Sequence, residues 1–260
     1  MCIVPFPVSS ISSTKLFVLP SVDSSRQMTM YQNSVDSHDE NLMILPFPNP
    51  KSLELHTLKY KALFDDLEKS VFKPPTRSYI PYPMMATASL SRSFTDYLPV
   101  VSHGSYLVSV AETLQDLKRV NPTLFDLPPD ILPFFATHYT SEFGYLVCKL
   151  KEGKHDYEPL CYSHSLLSNG KLFVPTLHYH DHGNGAKTDT ADWDHKIYSI
   201  GTTKMANREY LSYKENKLLW KRFPEAYRIG TDRPVRCAEI EGNYPNKDIV
   251  FELEPYVAAS

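Results

Sequence analysis

Twenty-one prolines against nine glycines limit what this 260-residue chain can fold into. Proline fixes φ and removes a backbone donor, so it ends helices and is confined to the ends, edges or bulges of strands. A chain punctuated so often favours many short strands joined by stiff, extended connections. It is long enough to bury a real core, hiding about 70–75% of its unfolded surface. Apolar residues at 42% and charged residues at 22% are ordinary for a globular protein.

The runs between the prolines have strand length. Lys15-Leu16-Phe17-Val18-Leu19 is closed by Pro20, and Asn41-Leu42-Met43-Ile44-Leu45 by Pro46, while Arg26 to Val35 partly alternates. Runs this short, bounded by Pro, Asn, Asp and Ser, suit strands better than helices. Asp36-Ser37-His38-Asp39-Glu40 reads as a polar turn between two of them. Gly144 to Leu150 is a further strand, and Arg236 to Val257 reads as one or two more, turning at Asn243-Tyr244-Pro245-Asn246.

Helical signals are fewer. Asn49 and Pro50 can open a helix over 50–69 that puts Leu55, Leu58, Ala62, Leu63 and Leu67 on one face. Ser109 and Glu112 have capping-box spacing ahead of Val110, Leu114, Leu117 and Val120, and Asn121-Pro122 stops that run. Pro128-Pro129-Asp130 opens a short helical piece, and Ser212 with Glu215 a helix through Phe223. Phe72 to Pro83, with four prolines and no helical period, reads as an extended linker or arm. Without regular βαβ alternation, the class is α+β: β-rich, mostly antiparallel sheet, with about three helices packed on one side. The expectation is one domain over 1–260, any subdivision falling near 72–100.

With 27 basic and 30 acidic side chains, the net charge of −3 gives no bulk field for nucleic acid or an anionic membrane. The basic stretch from Lys204 to Arg222, with Trp220 inside it, reads as a solvated helical face before a phosphate-binding surface. No apolar run approaches the ~20 residues of a membrane-spanning helix. The apolar patch from Cys2 to Val8 lacks a basic flank and is broken by Pro5 and Pro7, so it does not read as a secretory signal. Cys2, Cys148, Cys161 and Cys237 are scattered without ligand spacing, which fits reduced thiols in the cytoplasm.

Residues 178 to 195 gather four of the ten histidines and four carboxylates. Asn169-Gly170 between two apolar runs is a hairpin signal, because both turn residues must take φ > 0. A two-residue loop there would set Cys161 opposite His178. Opposed residues share a face and strand side chains repeat every two, so Cys161, His178 and His180 would then share one surface. Thiolate and imidazole are ligands for zinc or iron, His195 could complete the set, and Asp181, His182 and Asp194 are alternates. A metal with an open position would activate water or bind oxygen. Pro175 could insert a bulge and shift the register, and solvent-facing or hydrogen-bonded histidines are the plainer reading. The ligand order does not match a cupin.

Two further patterns are weaker. His103-Gly104-Ser105 and His138-Tyr139-Thr140 have the His-x-Ser/Thr form of two-histidine phosphoesterases, in which paired imidazoles exchange protons. Cys2 would become an N-terminal nucleophile if Met1 were removed, but Ile3 stands where the glutamine amidotransferases carry glycine. No phosphate loop, dinucleotide fingerprint, nucleophile elbow or kinase signature is present.

Three blocks, Asn41-Leu42-Met43-Ile44-Leu45-Pro46-Phe47-Pro48, Leu172 to Asp181 and Asp194-His195-Lys196-Ile197-Tyr198, resemble a little-studied family of hypothetical proteins from bacteria, large viruses or protists. The resemblance implies no activity and no residue roles. Taken together, the sequence leads to a non-enzymatic structural or interaction protein, an assembly or scaffold component with a protein partner or self-association and no membrane or nucleic acid. A metal-dependent (zinc or iron) hydrolase or oxygenase, and a phosphoesterase using His103 and His138, are the alternatives.

Overall fold

Strands that are apolar at every position need cover on both faces, and this chain supplies it by stacking two sheets and laying helical segments outside them. The computed structural model describes residues 3–57, 62–72, 97–168, 170–180, 189–200, 208–210, 223–228 and 235–253. One sheet has six strands in the order Tyr179–His180 (β12), Ile3–Val4 (β1), Asn41–Pro48 (β4), Phe143–Leu150 (β8), Tyr106–Ala111 (β7) and Val100–His103 (β6). The larger sheet runs Arg208–Tyr210 (β14), Val235–Pro245 (β15), Thr190–Ser199 (β13), Ser10–Pro20 (β2), Arg26–Ser37 (β3), Leu160–Ser165 (β10) and Glu54–Leu55 (β5), with Gly153–Asp156 (β9) also paired to β3. Leu172–Val174 (β11) and Ile249–Phe251 (β16) form a separate antiparallel pair. Among the described pairings only β1 with β12 and β2 with β13 are parallel.

The period of two along β2 and β4 builds three apolar layers. Leu16, Val18, Met43, Leu45 and Phe47 point between the sheets, where they meet Tyr31, Val108, Leu146 and Tyr162. The alternate residues point outward. Phe17 and Leu19 join Met28 and Met30 under the helix Leu63–Phe72 (α1), which presents Leu63, Phe64 and Leu67. Leu42 and Ile44 join Tyr145 and Val147 under the 3-10 turn Gln115–Arg119 and the helix Ile131–His138 (α2), through Leu117, Ile131 and Phe135. Every residue of β4 is buried, so its sequence runs apolar rather than alternating. Pro46 and Pro48 lie beyond Ile44, the residue that β1 pairs, so their missing donors break no ladder on that side.

The strands expected over 14–48 and 144–150 form, beginning earlier at Ser10 and Phe143, and the helices correct the reading. Among the described residues there are two α-helices, on opposite outer faces rather than together on one side, because each sheet has an apolar outer face to cover. Residues 50–69 are not one helix. Pro50–Ser52 make a 3-10 turn, and Leu55 pairs with Tyr162 at the sheet edge before α1 begins. Ser109 to Ala111 belong to β7, pairing with Val147, Leu146 and Tyr145, so a central ladder overrides the capping-box spacing. The opening at Pro128 does lead into α2, whose Pro133 lies in the first turn, where proline is tolerated. The tail forms two strands, the first running through Pro245 into the expected turn over 243–246 and the second starting at Ile249. Within the basic stretch, 208–210 are strand. The arm over 73–83 and the helix expected over 212–222 lie outside the described residues.

Charge fixes α1 in place. Lys15 and Lys196 are paired neighbours on β2 and β13, and Glu68 of α1 bridges them at 3.2 and 3.1 Å. These cations hold the Glu68 carboxyl below its ordinary range, against a burial that pushes the other way.

Gly144 marks the tightest approach in the smaller sheet. A Cβ there would stand 2.6 Å from Pro50 Cβ, 2.9 Å from the Ala111 carbonyl and 3.0 Å from Phe47 Cζ. Two of those atoms cannot swing away, so Gly144→Ala should destabilise the fold by about 1–3 kcal/mol in urea unfolding. A midpoint equal to wild type would show that β8 can shift to make room.

Candidate functional site

The reversal near residue 170 is present, but the strands flanking it do not pair with each other. Gly170 has φ 74°, and the Leu167 N–H donates to the Lys171 carbonyl. β10 then leaves to pair with β3 over six residues, and β11 pairs with β16. A ladder six residues long outweighs one that β11, three residues long, could offer. Cys161 therefore lies beside Met30, not opposite His178, and faces the apolar layer under α1. Complete burial pushes its thiol far up, away from the thiolate a metal would need.

His178 and His195 do meet. β13 turns Trp193, His195 and Ile197 to the inner face, and His178 closes over them from the segment before β12. Ring centroids are 5.0 Å apart for His178 and Trp193, 5.2 Å for His178 and His195, and 4.8 Å for Trp193 and His195. The two imidazoles are inclined by only 14°, so they stack rather than converge on a shared ion. Asp194 is engaged elsewhere, its Oδ2 accepting the Ser13 N–H at 2.7 Å. Among the described residues no group of three His, Cys, Asp or Glu side chains could hold a metal. The side chain of His180, and Asp181 and His182 entirely, lie outside the described residues, as does Cys2. What the stack does is seat a connection: Asn246 accepts the His178 N–H at 2.7 Å and donates to its carbonyl at 2.9 Å.

His103 and His138 lie apart. His103 ends β6, and its ring is turned toward the backbone carbonyls of Cys161 and His56. His138 is on the last turn of α2, its ring 4.5 Å from that of Phe134. Burial lowers the basicity of both. The paired imidazoles of a phosphoesterase are not formed. A third histidine, His164, is buried between the sheets against Tyr162 and Phe47, and burial pushes its pKa down to about 4.

The constellation that the fold does assemble was not read from the sequence. β5 pairs with β10 so that Glu54 lies beside Ser163, and His56, two residues on, anchors its N–H on the Cys161 carbonyl at 2.9 Å. This places His56 Nε2 2.7 Å from Ser163 Oγ. Arg26, from the start of β3, donates through Nη2 to Ser163 Oγ at 3.1 Å and to the Ser52 carbonyl at 2.8 Å. The same Nη2 meets Glu54 Oε1 at 3.1 Å, and Arg26 Nε donates to the Tyr227 hydroxyl at 3.3 Å. The Ser163 oxygen accepts from Arg26, and in the imidazole tautomer that carries its proton on Nδ1 the Ser163 hydroxyl donates to His56 Nε2. Burial lowers the His56 pKa, outweighing the pull of Glu54 upward, while Arg26 and His103 add to the lowering. The imidazole is therefore neutral at neutral pH, the form that accepts a proton. Ser163 is itself fully buried, whereas the Glu54 side chain, 56% exposed, and that of Arg26, 26% exposed, form the rim above it.

No family model and no curated protein matches the chain. It is similar to a chain of a solved structure titled the crystal structure of the caspase-8/p35 complex, at 13% identity and TM-score 0.49, over 93% of this chain and 96% of that one. A similarity of that size assigns neither an activity nor a partner. The non-enzymatic structural or interaction protein expected from the sequence is corrected: that expectation rested on the absence of a catalytic constellation, and the fold brings the Ser163 hydroxyl within 2.7 Å of the buried His56 imidazole.

Proposed function

We propose that the chain is a serine-nucleophile hydrolase of esters or amides, with Ser163 as nucleophile, His56 as general base and Arg26 as anion anchor. The 2.7 Å contact between Ser163 Oγ and a neutral His56 Nε2 is the observation that supports this reading. In the reaction, Oγ attacks the acyl carbon as its proton passes to Nε2. The tetrahedral oxyanion collapses, the leaving group takes the proton from His56, and water repeats the sequence to release the acid. Glu54 occupies Arg26 in the resting form. Its displacement by substrate would open the recess and turn the guanidinium toward the developing negative charge.

An activity-based fluorophosphonate tests this directly, since it reacts only with an activated serine. We expect one adduct per chain, on Ser163, lost in Ser163→Ala. A folded protein that stays unlabelled, or labels elsewhere, overturns the assignment. We also carry forward a protein partner or second copy of the chain, supported by the exposed Tyr97, Tyr244 and Val250, and an intracellular setting, supported by the reduced, buried thiols of Cys148, Cys161 and Cys237. Among the described residues no helix is long and apolar enough to cross a membrane.

A further inference from the structure

Away from Ser163 and His56, a cleft of about 240 Å³ opens where the end of α2 meets the β11–β16 pair. Three of its walls are aromatic. Tyr139 and Phe143 have ring centroids 5.1 Å apart and inclined by 52°, and Phe143 and Phe173 are 5.1 Å apart and inclined by 65°. The first pair therefore meets tilted and the second edge to face, and all three residues line the cleft. Asp248 closes the site: its Oδ1 accepts the Thr176 and Leu177 N–H groups at 2.7 and 2.8 Å, and its Oδ2 accepts the Tyr139 hydroxyl at 2.7 Å.

We propose that this cleft binds a methylated ammonium group. Inclined aromatic faces direct negative quadrupole density at one point, and a carboxylate beside them adds a full charge, which is the arrangement that holds quaternary ammonium ions. The phenol of Tyr139 donates to Asp248, which makes its ring richer in electrons and a better cation host. Plain ammonium is a poor fit. A carboxylate with about four lone-pair sites has three in use here, so it can take only one of the three N–H donors of a lysine, whereas trimethylammonium has none to satisfy. His138 also lines the cleft, and burial lowers its basicity, so it does not place a rival cation there. Lys247 is exposed at the mouth, positioned to meet an anionic group carried beyond the ammonium.

Calorimetry with tetramethylammonium, choline and 3,3-dimethylbutan-1-ol tests the proposal without any variant, because the alcohol is the neutral isostere of choline. Both cations should bind saturably, choline at least about tenfold more tightly than the alcohol. Equal affinity for choline and its isostere, or no saturable binding of either cation, overturns the proposal. Phe143→Ala, at a half-buried position, and Asp248→Asn should each weaken tetramethylammonium binding about fivefold or more. Undiminished binding to both folded variants also overturns it. Phosphocholine and a trimethyl-lysine peptide then identify the source. Preference for phosphocholine that is lost in Lys247→Ala marks a lipid headgroup, and preference for the peptide marks a modified protein.

Discussion

Replacing His56 with glutamine should slow fluorophosphonate labelling of Ser163 by about 10²–10⁴-fold, the usual contribution of a positioned general base. Glutamine keeps roughly the volume of imidazole and can still hydrogen bond to Ser163 Oγ, but it cannot take the proton. A large rate loss with little change in stability therefore isolates base catalysis from packing. The pH profile adds a second constraint. Labelling needs neutral His56, so the rate should fall as the pH drops through the His56 pKa, which burial sets below its ordinary 6.5. Glu54 pulls that pKa up, so Glu54→Gln should move the half-point further toward acid. The same change should also raise the plateau rate a few-fold, because it removes the carboxylate that occupies Arg26 at 3.1 Å. If the profile shows no inflection on the acid side, or if Glu54→Gln leaves it where it was, the contact between His56 and Ser163 only holds β5 against β10.

Local pattern identified the elements whose sequence and tertiary surroundings agree. β4, β8 and the Lys15–Leu19 run of β2 are rich in β-branched, aromatic and long aliphatic residues and bounded by proline or polar turns, so run length and flanks identify them. The same reasoning failed where the ladder disagreed with a local signal. Ser109 and Glu112 have the spacing of a cap, yet Val108 and Val110 fill the slots opposite Cys148 and Leu146, and the strand prevails. The expected opposition of Cys161 and His178 failed one step later. Opposed positions share a face only if the two strands pair, and β10 has β3 and β5 as neighbours instead. The meeting of His178 and His195 was foreseeable from their density in the sequence, although their stacking was not. Ser163 and His56 were not legible at all. They lie 107 residues apart, belong to no spacing motif, and become neighbours because a two-residue edge strand docks on β10.

The largest stability effect should come from Asp248, a single carboxylate that carries three hydrogen bonds at the junction of two connections. Removing it as Asp248→Ala leaves the Thr176 and Leu177 N–H groups and the Tyr139 hydroxyl without their acceptor, in a region where Leu177 and Tyr139 are buried. At about 1–3 kcal/mol for each stranded group, and less than additively, the expected loss is about 3–5 kcal/mol in urea unfolding. Asp248→Asn should cost less, since the amide oxygen can still accept both N–H groups, and it tests the charge separately. Burial pushes the Asp248 pKa up to about 6 from its ordinary 3.8. Between those values the folded chain binds more protons than the unfolded one, so this group makes stability fall as pH rises from about 4 to about 6, and it contributes no slope outside that window. His164 acts in the opposite sense. Its lowered pKa makes stability fall as pH drops from 6.5 toward about 4, and a plain acid titration of the wild type would blend the two effects. The His164 contribution is common to wild type and Asp248→Asn, so it cancels in their difference. That difference should shift in favour of the asparagine variant as pH rises through the window. A difference that stays constant across it would place the carboxylate in contact with solvent, and the acceptor network around Thr176, Leu177 and Tyr139 would have to be satisfied by water instead.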